Sequence, residues 1–315
     1  MDRIALALSP LRDARPGELL AWSRRAEEAR FHAVFIPESF NDSLAYAQAV
    51  AGATRRLRVG TGITNVYLRH PSLLAQQAAA VQEFSGGRLL LGLGVGHRPV
   101  NASLGIDMGD PGEKIRETIA FLRTAWTKGP HQPRPTTPPP ILAAALAPGM
   151  IEQAAELADG VMFNLFPLEA YPRAMAAVRR GAERGGRATE SLEICHFTTC
   201  YLADDRATAL AEAKRMLARY ANLPFYGNML ARSGFRAEVT TVRNAWARRD
   251  VPAAEAAVSD AMADAVTLAG DAAHCRERLR AYRMAGATLT IVFPNPVREE
   301  RAAAVERVID AFAPR

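Results

Sequence analysis

The stretch Arg88-Leu89-Leu90-Leu91-Gly92-Leu93-Gly94, running on into Val95-Gly96-His97, reads as a buried strand that ends at a glycine-rich rim. Its apolar residues run on without alternation, as they do in a parallel strand covered on both faces. Seven more short aliphatic or β-branched runs lie at Arg3 to Leu8, Ala33 to Ile36, Leu57 to Gly62, Ile141 to Ala145, Gly160 to Asn164, Leu192 to Thr198 and Thr288 to Phe293. Longer Ala- and Arg-rich segments with helical spacing separate them. Pro16 to Arg30, for example, opens with Pro-Gly-Glu and carries Leu19, Leu20, Ala26 and Ala29 as an apolar stripe. Eight strands alternating with helices predict an α/β protein, a closed (β/α)8 TIM barrel. An open doubly wound sheet is disfavoured because no dinucleotide fingerprint follows the first run. The string Gly92, Gly94, Gly96 leaves two readings open, a phosphate cradle or a tight turn at the barrel rim.

The spacing breaks twice. Between Gly129 and Pro140 six prolines forbid a helix and predict an extended surface connection. From about 204 to 287 the chain holds helical patterns at Ala207 to Tyr220, Ala237 to Arg249, Ala253 to Met262 and Ala272 to Ala285. This is expected to be a helical insertion between strands seven and eight, capping the end of the barrel where substrate loops belong. The whole, 1–315, is then one domain.

Composition excludes several classes. With 315 residues, 49% hydrophobic and 23% charged, the chain can bury a large core. No run approaches the roughly 18 apolar residues of a membrane span, and Met1-Asp2-Arg3-Ile4 lacks the layout of a signal peptide, so a cytoplasmic protein without membrane contact is expected. The formal charge of +6 rests on scattered arginines, with only three lysines, and aromatics are not interleaved with them. Nucleic-acid binding is therefore not expected. Cys195, Cys200 and Cys275 fit neither a CxxC pair nor a zinc knuckle, and the six histidines form no HxH or HExxH arrangement, so no metal is expected.

In a barrel the site lies at the carboxyl ends of the strands. The residues there are Ser9-Pro10, Pro37-Glu38-Ser39-Phe40, Ile63-Thr64-Asn65, Val95-Gly96-His97, Leu146-Ala147-Pro148, Asn164, the segment 196–199 and Pro294-Asn295. The set is polar, poor in metal ligands and without a GxSxG elbow, which suits a pocket for an organic cofactor and a small-molecule substrate. The segment Leu146-Ala147-Pro148-Gly149 leads into a helix whose first N–H groups and positive dipole end could receive a phosphate. Asn65 and Asn164 could hydrogen-bond a ring or its chain. Arg69-His70-Pro71 opens the third helix, and the Arg69 guanidinium could hold an anionic substrate or a coenzyme tail.

Three segments carry a family resemblance over nearly the whole chain. They are Thr61-Gly62-Ile63-Thr64-Asn65-Val66-Tyr67-Leu68-Arg69-His70-Pro71, Ser85-Gly86-Gly87-Arg88 with Leu91 to Gly96, and Pro140 to Met150 with Ala158-Asp159-Gly160-Val161 and Asn164. The chain resembles the bacterial luciferase-like superfamily, in its methylenetetrahydromethanopterin reductase-like branch. The resemblance implies a barrel that binds coenzyme F420, with FMN as the alternative cofactor, and transfers a hydride to or from an unidentified organic substrate. An FMN-dependent monooxygenase and a non-catalytic flavin-binding protein are the other readings. It implies a non-prolyl cis peptide at Gly62-Ile63 buttressing the ring, and cofactor contacts from Ser39, Gly62, Ile63, Asn65, Gly94, Gly96, Ala144, Ala145, Leu146, Ala147 and Asn164. Many relatives have histidine where this chain has Ser39, and serine cannot titrate near neutral pH. Glu38 becomes the leading catalytic acid and His97 the second candidate, with the Glu38 pKa expected to be raised beside an apolar ring. A homodimer, and a separate reductase supplying reduced cofactor, are the protein partners to test.

Overall fold

The computed structural model describes residues 3–10, 15–38, 41–128 and 135–313. Along the chain run β1 (Ile4–Ala7), α1 (Pro16–Glu28), β2 (Ala33–Ile36), α2 (Ser43–Ala53), β3 (Arg58–Thr61), β4 (Thr64–Asn65), α3 (Pro71–Phe84), β5 (Leu89–Gly94), α4 (Arg98–Ser103) and α5 (Pro111–Lys128). There follow β6 (Ile141–Ala144), α6 (Pro148–Leu157), β7 (Gly160–Asn164), α7 (Tyr171–Arg184), β8 (Glu193–Leu202), α8 (Arg206–Asn222), α9 (Pro224–Leu230) and α10 (Arg236–Ala247). The last elements are α11 (Val251–Ala256), α12 (Asp260–Val266), β9 (Leu268–Gly270), α13 (Ala272–Met284), β10 (Leu289–Asn295) and α14 (Arg301–Phe312).

Every strand pairing is parallel, in the order β10-β1-β2-β3-β5-β6-β7-β8, and β10 pairs β8 to close the ring. The expected (β/α)8 barrel is the fold, with all eight expected strands in place. Alternation along each strand sorts the side chains into two cores. Ala5, Ala7, Ala33, Phe35, Leu90, Leu142, Met162, Cys195, Phe197, Leu289 and Ile291 fill the barrel interior. The opposite faces pack against the helices. Gly60 faces Phe35 inside the barrel, where an added Cβ would lie 2.4 Å from the ring. Phe35 thus takes the volume that strand three gives up.

The sequence reading falls short at two strands. β4 continues strand three beyond Gly62, and β9 adds to the far end of β8, with Cys200 opposite Leu268. The insertion is therefore not wholly helical. Its helices α8, α10 and α13 match three expected patterns, the Ala253 to Met262 pattern divides between α11 and α12, and α9 was not foreseen. Asp205, Asp250 and Ser259 cap α8, α11 and α12 with their side chains, which fixes where each helix begins. Residues 129–134 of the proline-rich connection lie outside the described residues. No described helix is long and apolar enough to cross a membrane, and no described cluster could hold a metal ion. The three cysteines are free and buried.

Behind the barrel wall His196 is fully buried, its Nδ1 2.9 Å from the Tyr171 hydroxyl and its ring stacked on Tyr282. Burial pushes its pKa down from 6.5 to about 3, and burial beside Arg3 pushes His32 down to about 4. In the unfolded chain both return to about 6.5. The unfolded state then binds more protons below that pH, so stability is complete above about 6.5 and drains away as the pH falls toward 3. The urea midpoint should accordingly fall between pH 7 and pH 4. His196→Gln should be less stable at pH 7.5 yet lose less on acidification, and an equally steep fall in the variant would contradict this assignment.

Candidate functional site

The site begins with a mismatch between two neighbouring strands. Val59 and Gly60 lie opposite Leu89 and Leu90, but Thr64 and Asn65 lie opposite Leu93 and Gly94. Residues 61–63 therefore face only 91–92, and the surplus residue is taken up as a β-bulge at the barrel mouth. Gly62 and Ile63, half-exposed there, are two of the expected cofactor contacts. No cis peptide bond occurs among the described residues, so the cis link expected at Gly62-Ile63 is corrected to trans. The extra residue bends the strand by itself.

Three glycines of β5 and its exit seat that bulge. A Cβ on Gly92 would sit 2.0 Å from the Thr61 carbonyl oxygen, and the Thr61 hydroxyl donates to the Gly92 carbonyl at 2.8 Å. A Cβ on Gly94 would lie 2.8 Å from the Ile63 side chain. Gly96 has φ +65° and would clash with the Asn65 amide at 2.6 Å. The glycine string thus seats the bulge: Gly94 and Gly96, expected as cofactor contacts, receive Ile63 and Asn65.

Glu38, just after β2, clamps the same bulge. One carboxylate oxygen lies 2.6 Å from Arg69 Nη1, and the other accepts the Asn65 N–H at 2.8 Å. Ser43 donates to the second oxygen at 3.4 Å and lies 3.0 Å from the Thr64 hydroxyl. Burial raises the Glu38 pKa, opposed chiefly by the Arg69 charge. The direction is the expected one, and its cause is burial within the protein. Arg69 is also 2.9 Å from Asp42, the cap of α2, and its side chain is 9% exposed. Its fork, expected to hold an anionic substrate or coenzyme tail, is engaged by two carboxylates of the chain itself. The side chain of Asn65, another expected cofactor contact, donates to Asn101 at 2.9 Å and accepts from the Tyr67 N–H, so it ties β4 to α4. Ser39 lies outside the described residues.

Two strands further round, Ala144 and Ala145 lead into Leu146 and Ala147, the cap position of α6. No side chain caps this helix, and Pro148 at its first position has no N–H to satisfy. The Cβ direction of Gly149 points into open space. Arg232, from the insertion, reaches the Leu146 carbonyl at 3.5 Å, and Arg173 reaches the Arg232 carbonyl at 3.4 Å. This bare, positively flanked helix start can receive an anion. The two arginines lie far along the chain, in segments without a motif, and sequence gave no signal for them.

Asn164 follows the inward row of β7, and its amide donates to the Tyr226 hydroxyl of α9 at 2.6 Å. The next residue, Leu165, is buried at φ +48°, a left-handed conformation costing roughly 1–2 kcal/mol for a leucine. His97 caps α4, its ring 5.8 Å from that of Tyr226 and 6.2 Å from that of Tyr220. Its Nδ1 is buried without a hydrogen-bond partner among the described residues, and burial lowers its pKa. Glu38 and His97, the two acid candidates, thus belong to separate groups, one on the bulge and one beneath the insertion. Across the mouth Ser9 continues the inward row of Ala5 and Ala7, its buried hydroxyl also unpartnered among the described residues. Alternation after β1 would have singled it out.

The luciferase-like monooxygenase family model matches residues 3–289. A 5,10-methylenetetrahydromethanopterin reductase of Methanolobus tindarius is 26% identical over 304 residues, which cover 91% of this chain and 93% of the relative. The solved coenzyme F420 dependent tetrahydromethanopterin reductase from Methanopyrus kandleri superposes with a TM-score of 0.82, at 22% identity and 98% coverage of both chains. An F420-dependent secondary alcohol dehydrogenase in complex with an F420–acetone adduct gives 0.77, at 18% identity and 100% coverage of both.

Glu38 and Arg69 are a buried pair, so removing Arg69 leaves the Glu38 carboxylate without its cation, and removing Glu38 leaves Arg69 with Asp42 alone. Glu38→Gln should cost about 3 kcal/mol in urea unfolding, and adding Arg69→Met should recover part of that loss. Strictly additive losses in the double-mutant cycle would show that the clamp does not exist.

Proposed function

The chain belongs to the luciferase-like monooxygenase family, and from that premise we propose an oxidoreductase that binds coenzyme F420 at the carboxyl end of its barrel. The observation that carries this reading is the pairing of a half-exposed bulge, Gly62-Ile63, with an uncapped helix start at Ala147. β3 and β6 are two strand spacings apart, about 10 Å. A ring on the bulge and a phosphate on α6, joined by a ribityl chain, suit that separation.

The residues present fit such a group. Gly62 and Ile63 would support the ring, beside Phe197, whose edge lies 3.0 Å from where a Gly62 Cβ would stand. Ala144, on the interior face, is small enough to let the chain of the coenzyme pass. The N–H groups at the start of α6 would hold the phosphate, with Arg232 beside them. When bound, a deazaflavin supplies hydride chemistry at its C5. Glu38 acts as the positioning residue of the bulge, holding the Asn65 N–H and Arg69 in register. His97, its pKa lowered by burial, faces the same mouth from the end of β5, and Asn164 from the end of β7. The insertion excludes water from above.

A second copy of the chain is the protein partner that the surface favours. The exposed residues of α2, Ala45, Gln48, Ala49 and Gly52, carry no charge, and on neighbouring α3 Leu73 and Phe84 are 48% and 60% exposed. Leu73→Glu with Phe84→Glu should convert a dimer to a monomer in sedimentation, and an unchanged mass would remove this face from the interface.

Equilibrium dialysis against a mixture of F420 and FMN should leave the deazaflavin absorption spectrum on the protein. Retention of FMN would select the monooxygenase reading, and retention of neither would overturn both. Ala147→Asp should weaken F420 binding by about tenfold or more through repulsion of the phosphate, and should weaken the dephosphorylated deazaflavin much less. Equal losses would mean that α6 does not hold the phosphate.

A further inference from the structure

Three segments distant in sequence converge above the end of β6. His97 enters from β5 on one side, Asn164 from β7 on the other, and Tyr226 descends from α9. The convergence is enforced from behind. Leu165 is held in a left-handed conformation directly after Asn164. Beside Tyr226, Gly227 packs so closely that a Cβ would lie 2.3 Å from the Ala221 carbonyl and 2.4 Å from Arg243 Nη2. α9 is therefore fixed to α8 and α10, and Tyr226 sits on a rigid frame. The rings of Tyr220 and Tyr226 meet edge to face at 4.8 Å.

The hydrogen bonds in this group are incomplete. Asn164 donates to the phenol oxygen of Tyr226, which leaves the phenol hydrogen without an acceptor among the described residues. His97 Nδ1 is buried and unpartnered beside it. Buried polar groups require partners, so this geometry calls for an acceptor atom from a ligand. The surroundings define the rest of that ligand. Phe293 borders the inner core at the mouth, the Tyr220 ring packs on Tyr226, and the buried charges at the mouth, Glu38 and Arg69, are paired with each other.

We propose that Tyr226, held by Asn164 and facing His97, is a specificity-determining residue whose phenol donates a hydrogen bond to an acceptor oxygen of an uncharged, mainly apolar substrate. The proposal rests on the reading of the barrel mouth as the substrate site. A buried donor left unpaired discriminates strongly against analogues that lack the acceptor.

The test is ¹⁹F NMR titration of the whole chain, with and without F420, using 4-fluoroacetophenone, 4-fluoroethylbenzene and 4-fluorobenzoate as probes. The wild type should bind the ketone about tenfold more tightly than the ethyl compound, and the carboxylate more weakly than the ketone. Tyr226→Phe should fold with a lowered thermal midpoint, because the Asn164 amide loses its acceptor, but with unchanged F420 affinity, and should bring the ketone-to-ethyl ratio close to one. An unchanged ratio in Tyr226→Phe overturns the proposal. So does equal or tighter binding of the carboxylate, or no saturable binding of any probe. Should Tyr226→Phe fail to fold, Asn164→Leu reads the same ratio from the other side of the bond. Loss of F420 binding by the wild type, with the probe ratio intact, would instead remove the coenzyme reading and leave this one standing.

Discussion

The closest approach in the site is between Gly92 and the Thr61 carbonyl, where a Cβ would be only 2.0 Å from oxygen. No residue with a side chain fits there without moving one of two central barrel strands. Because strand three can lie this near to β5, it can carry one residue more than its neighbour and bulge into the mouth. Gly94 and Gly96 extend the same allowance to Ile63 and Asn65. Glu38 then secures the far side by taking the Asn65 N–H, and Arg69 binds Glu38 to the cap of α2. Platform and clamp both depend on this one backbone contact.

The insertion is the second half of the site. It is tied to the rim by the Tyr226 bond to Asn164 and by Arg232 on Leu146. Both ties land on the two strand ends flanking the start of α6, so the segment that closes the mouth also surrounds the candidate anion site. Strain at Leu165 and crowding at Gly227 hold the two partners where they meet. Such local costs persist when the surrounding structure over-determines them.

The barrel was legible because its signal is local: eight aliphatic runs with helical segments between them. The mouth as a place was legible too, since the residues after each run must gather there. What could not be read was which side chains already had partners. Arg69 reads as a free guanidinium and Asn65 as a free amide until Glu38, Asp42 and Asn101 are brought beside them, and those contacts depend on strand register. The glycine string was visible, but its purpose depends on the neighbouring strand. Tyr226 was hidden in a short helix opened by Pro224, between two longer patterns. β9, three residues long, carries too little periodicity to be told from a loop.

The most direct test of the account is a crystal structure of the chain with oxidised coenzyme F420. The ring should lie against Gly62 and Ile63, with the phosphate on the N–H groups that open α6. A ring placed away from strand three, or a phosphate held by the Gly92 to Gly96 segment, would contradict it.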